Sequence, residues 1–117
     1  MTQFLVTGHY TEPGPLFSPE AAAQMIEDMI IPSLQMLVEW ESDGTSGGGG
    51  AFTGERAGSF ILNAPSSEEA GFLISSLPFW PLLKWEVKPL QSFASAAEQE
   101  RRVVEQIRAL VGPRTHG

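Results

Sequence analysis

The chain contains no cysteine, which excludes disulfides, thiolate nucleophiles and cysteine-ligated zinc. Histidine is nearly as scarce: only His9 and His116 are present, the second in the C-terminal tail, so no histidine-built metal site is expected. No stretch approaches the roughly 20 apolar residues of a membrane span. The start, MTQFLVTGHY, lacks the basic and apolar regions of a signal peptide. A soluble cytoplasmic protein is the expectation. Cations are missing from the first half, where residues 1–54 hold seven acids (Glu12, Glu20, Glu27, Asp28, Glu39, Glu41, Asp43) and no Lys or Arg, within a net charge of −7. Nucleic acids and anionic membranes are recognised through lysine and arginine, so neither is an expected partner.

What is present fits one domain of 117 residues, since a chain of this size can bury a core of its own. Gln3–Tyr10 is rich in β-branched and aromatic residues and stops at Glu12-Pro-Gly-Pro, which predicts a strand and a turn. Ser18 is suited to cap a helix with Pro19 at its first position and Glu20 at the positive end of its dipole. Apolar residues at helical spacing continue to Val38. Pro32 removes a backbone donor within that pattern, so a kink or break is expected near Met29 to Ile31.

Ser42–Gly50 holds the run Gly47 to Gly50 and is expected to be a flexible connection. It has no Lys-Ser or Lys-Thr behind it, so a phosphate loop is not indicated. Serine hydrolase chemistry is not expected either, since His9 is the one histidine ahead of the tail. Ala51–Thr53 and Ala57–Asn63 read as short strands on either side of a Gly54-Glu55-Arg56 hairpin turn. Ser66 or Ser67 caps a second helix ending near Ser76.

In Leu77–Leu90, LPFWPLLKWEVKPL, a proline-framed aromatic turn leads into strict alternation. Leu83, Trp85 and Val87 point one way and Lys84, Glu86 and Lys88 the other, as in a strand with one dry face; Pro89 is expected to end it. Beyond it, Ser95 and Glu98 suggest a capping box for a C-terminal helix with an apolar stripe of Val103, Val104, Ile107, Leu110 and Val111. The order is strand, helix, strand, strand, helix, strand, followed by this extra helix. An α+β, ferredoxin-like βαββαβ domain with an antiparallel four-stranded sheet is therefore expected over residues 1–93. Residues 94–117 form a C-terminal helix and tail, packed on the same subunit or at a dimer interface. Leu5 and Ile61 fall on one side of their strands, and Phe4, Val6, Phe60 and Leu62 on the other. Two apolar faces on one sheet predict that two copies pair as a homodimer.

The Leu-Pro-aromatic-aromatic-Pro turn, its alternating strand and the Val-x-Pro-Leu exit, together with the βαββαβ order, resemble the muconolactone delta-isomerase family. The resemblance implies a dimeric α+β barrel, able to assemble further, and a cofactor-free shift of a double bond in a small lactone or related organic acid. Such chemistry needs a base beside a carbonyl and a donor or cation for the enolate oxygen. The resemblance assigns the proton shuttle to an acid on the first helix, for which Glu27 is the nearest match and Asp28 the alternate. His9, at the end of the first strand, is a further acid–base candidate. Tyr10, Arg56, Trp80 and Lys84 are candidates for substrate binding, with Phe79 beside Trp80 able to fill core or line a pocket. Each also has a plain reading, as a solvated charge or a packed aromatic. The alternatives are a non-catalytic binding or assembly module on the same barrel, and a cofactor-independent oxygenase using Trp80, Tyr10 and His9.

Overall fold

The computed structural model describes residues 1–11 and 18–112; the Glu12-Pro-Gly-Pro turn and His116 lie outside them. Strand β1 (Thr2–Tyr10) is followed by helix α1 (Pro19–Met25), a π-helical segment (Ile26–Ile30) and helix α2 (Ile31–Asp43). Strands β2 (Ser46–Ala51) and β3 (Ala57–Ala64), helix α3 (Ser67–Ser75), a 3-10 turn (Trp80–Leu82), strand β4 (Leu83–Leu90) and helix α4 (Phe93–Val111) complete the order. The sheet is antiparallel in the order β2-β3-β1-β4, the ferredoxin-like arrangement expected from the sequence.

The first helix begins as read, with the Ser18 hydroxyl accepting from the Ala21 amide at 3.1 Å and Pro19 in the first turn. Its interruption also has the expected cause. Pro32 cannot donate to the carbonyl four residues back and its ring crowds that carbonyl, and the turn ahead of it widens so that the Ile31 amide bonds to the Ile26 carbonyl, a π step. Helix α2 then runs to Gly44, whose φ of 86° ends it in the left-handed conformation. There the hydroxyl and amide of Thr45 hold the Asp43 carboxyl below its ordinary range.

The core lies between the helices and one face of the sheet. Phe4, Val6, Phe60, Leu62 and Ala64 project from β1 and β3 against Trp40, Ala70, Ile74, Leu77 and Phe79. The opposite, open face carries half-buried Leu5 and Ile61, a Thr7–Ser59 hydroxyl pair at 3.1 Å and the exposed side chains of His9, Lys84, Glu86 and Lys88. Buried Ser33 joins helix α2 to the proline-framed turn, its hydroxyl donating to the Met29 carbonyl at 2.6 Å and accepting from the Phe79 amide at 2.9 Å. Ser33→Ala strands that buried amide, and urea denaturation is expected to show a loss of about 1–3 kcal/mol.

Four expectations need correction. Gly47 to Gly50 is no loose connection, because β3 supplies a hydrogen-bonded partner and the glycines form edge strand β2, with a bulge between Ser46 and Gly48. The hairpin's first strand is accordingly Ser46–Ala51 rather than Ala51–Thr53. Pro89 does not end β4, which continues to Leu90 with Pro89 opposite Phe4; β4 is an edge strand, where a missing donor can face solvent. Helix α4 is capped by Ser92, accepting from the Ser95 amide at 3.0 Å, not by Ser95; three residues make one turn, so both serines suited the pattern.

Candidate functional site

One row of the sheet is almost bare of side chains on its helix side. Ala51, Gly58, Gly8 and Trp85 stand level across β2, β3, β1 and β4, and two adjacent glycines leave a flat floor. The Trp85 ring leans over that floor, so a Cβ placed on Gly8 would lie 2.9 Å from its Cζ3 and 3.1 Å from Leu83 Cδ1. Trp85 is fixed by its indole N–H, donating to the Trp80 carbonyl at 3.0 Å, and by Phe79, edge-on at 5.8 Å.

Above the floor, Ile30, Leu34, Leu37, Val38 and Glu41 descend from the first helix, and together they enclose a cavity of about 390 Å³. That is the size of a small-molecule site. Its walls are mostly apolar; Tyr10, Arg56 and Glu55 border it where β1 ends, and Glu41, near the end of α2, borders it toward the start of β2. The Tyr10 amide donates to the Arg56 carbonyl at 2.9 Å, which holds these two residues side by side. The Tyr10 hydroxyl leans on the Met25 sulfur at 3.9 Å. No carboxylate of the described residues is within ion-pair distance of Arg56. Glu41 and Glu55 are exposed at the rim. Among the described residues no group of three His, Asp or Glu could hold a metal, and no helix is long and apolar enough to cross a membrane.

Of the residues singled out in the sequence, the fold brings Tyr10 and Arg56 together on the cavity. Glu27 and Asp28 are exposed on the π-helical segment, outside the lining, with Asp28 accepting from the Gln24 side-chain amide at 2.8 Å. His9 and Lys84 pair in register on the open face, where His9 Nδ1 lies 3.9 Å from Glu55 and its ring meets Phe52 edge-on at 6.3 Å. Trp80 is 45% exposed and contributes its carbonyl, whereas Phe79 both fills the core and lines the cavity.

Glu41 was not singled out, although the signal was there. It continues the series Ile30, Leu34, Leu37, a carboxylate in phase with an apolar stripe. Glu27 is in phase with the same series on an unbroken α-helix, but the widened turn between them rotates it by about 90–100°. The two acids therefore end on different sides.

The sequence matches no family model and none of the curated proteins with which it was compared. The structure is similar to a crystal structure of muconolactone isomerase, with a TM-score of 0.63 and 22% identity over 80% of this chain and 92% of that one. At that identity the likeness establishes the shared α+β fold, the one the proline-framed motif had suggested.

Proposed function

We propose that the cavity binds a small lactone or related oxygenated organic acid and shifts its double bond by cofactor-free proton transfer. The observation that carries this reading is a cavity of mostly apolar walls bordered by the carboxylates Glu41 and Glu55, by Tyr10, and by the cation Arg56, which no carboxylate of the described residues pairs. Glu41 takes the proton from the carbon next to the carbonyl. The released electron pair moves onto the carbonyl oxygen as an enolate, which Arg56 or Tyr10 stabilises. The double bond reforms one position along as the same carboxylate returns the proton. Because Glu27 faces solvent, the base assigned by the family resemblance passes in this reading to Glu41. The named activity of the structurally similar isomerase supports the reaction class.

A homodimer built by pairing two open faces through Leu5 and Ile61 belongs to the same proposal, and a monomeric particle in light scattering at micromolar concentration would remove it. Incubation with unsaturated five-membered lactone acids in D₂O, followed by proton NMR, tests the reaction. Deuterium is expected at the carbon that receives the returning proton, at the far end of the shifted double bond, as the carboxylate exchanges with solvent. Saturable binding with no exchange would replace the reading with a binding module, which the exposure of Glu41 at the rim favours. Oxygen uptake with quinol-like compounds would favour an oxygenase instead.

A further inference from the structure

Helix α4 leaves the body of the protein. None of its 19 residues is buried, it makes no extended contact with the sheet or the other helices, and the molecule measures 78 Å along its length against 33 × 25 Å across. Yet this helix is amphipathic, with Ile107 54% and Leu110 81% exposed on a stripe with Val103, Val104 and Val111. Most helical stability in proteins comes from packing an amphipathic face, so the stripe calls for a cover.

A matching surface lies on the same chain, out of the helix's own reach. Helix α3 covers β3, and along β4 the helix side of the sheet stays open as an apolar groove between Phe4, Gly71, Ile74, Val87 and Pro89, with Val87 41% exposed. Only Gln91 and Ser92 separate β4 from α4. That joint is tied down: the Gln91 amide donates to Ser95 Oγ at 3.0 Å and Gln99 Oε1 at 2.9 Å, and Ser92 caps the helix. The tie directs α4 away from its own groove.

We infer that α4 docks in the α3–β4 groove of a second copy of this chain, in a reciprocal exchange about a two-fold axis near the β4–α4 joint. Both surfaces border that joint, so a single two-fold satisfies both at once, as a self-complementary interface requires. The helices over the sheet, α1 to α3 with the π-helical segment, carry Glu20, Glu27, Asp28, Glu39, Glu41, Asp43, Glu68 and Glu69 and no Lys or Arg, whereas α4 balances Glu98, Glu100 and Glu105 with Arg101, Arg102 and Arg108, Arg101 being held by Glu98 at 3.0 Å, and so adds cations to an acidic face without further net negative charge. Glu68 and Glu69 stand on the first turn of α3, at the end of the groove lined by Ser67. A helix about 28 Å long, exchanged in both directions, buries on the order of 1,200 Å², the lower end of what stable dimers bury. The inference depends neither on the reaction proposed above nor on pairing of the open faces.

The absence of cysteine makes the test direct. A Gly71→Cys chain and a Gln106→Cys chain are mixed and treated with a short bis-maleimide; a Cβ at Gly71 meets nothing within 4 Å, and Gln106 flanks the stripe. A 71–106 link between the two chains is the expected product. Only 106–106 links, or no link, would overturn the inference, as would a 71–106 link formed within one chain carrying both substitutions. Ile107→Glu is further expected to speed amide exchange along α3 and β4 at least tenfold, and unchanged protection there would count equally against it.

Discussion

Gly49→Ala is expected to detach strand β2 and to lower stability by about 3 kcal/mol or more, out of the 5–15 kcal/mol typical of a domain. Gly49 has a φ of 156°, and a Cβ built on it would fall 2.2 Å from the Ser59 carbonyl oxygen and 2.5 Å from Phe60 Cα. Both obstacles are backbone of the paired strand, so no side chain can swing aside. The alanine fits only if the strands part, which breaks the β2–β3 ladder beside the bulge and removes one wall of the cavity. Gly50 is the internal control. It is the next residue in the same run, with nothing within 4 Å of its Cβ position and no positive φ, so Gly50→Ala is expected to stay within about 0.5 kcal/mol of the parent. Urea denaturation of the two variants decides the matter: equal midpoints would show that the glycine run is not held in register against β3.

That contrast explains why β2 was the element least legible in the sequence. A strand is ordinarily read from side chains alternating between two faces, and four glycines have none to alternate. What makes them a strand is the partner, Ala57–Ala64, whose own alternation of Phe60 and Leu62 against Ile61 and Asn63 was readable. Where side chains carry the information, local reading sufficed. Ser18-Pro19-Glu20 marked the start of the first helix, Pro32 its disruption, and Lys84-Trp85-Glu86-Val87-Lys88 the two faces of β4. The site was less legible for a related reason. Tyr10 and Arg56 come together because a strand end and a hairpin pair in space, and both were chosen from position alone. Glu27 and Glu41 differ by the rotation of a single widened turn, which no count of residues along the helix registers.

Glu41→Gln is expected to lower kcat on the lactone or acid substrate about 10²- to 10⁴-fold, equivalent to roughly 3–5 kcal/mol of transition-state stabilisation. The amide keeps the shape and the hydrogen-bonding reach of the carboxylate but cannot accept a proton, so substrate binding is expected to change little and the loss to fall on kcat rather than KM. Glu27→Gln, on the solvent side of the π-helical segment, is expected to leave turnover within twofold. Arg56→Ala is the complementary case. Its cation lies at the rim beside Tyr10, and its removal is expected to raise KM for a substrate bearing a carboxylate and to lower kcat in proportion to the enolate charge it carries. Steady-state kinetics on these three variants separate the possible bases. A normal rate in Glu41→Gln with a collapsed rate in Glu27→Gln would return the proton to the residue the family resemblance names, and would require the helix to rotate about its π turn when substrate binds. Loss confined to Glu41→Gln would leave the proton on the only acid that the first helix turns toward the glycine floor.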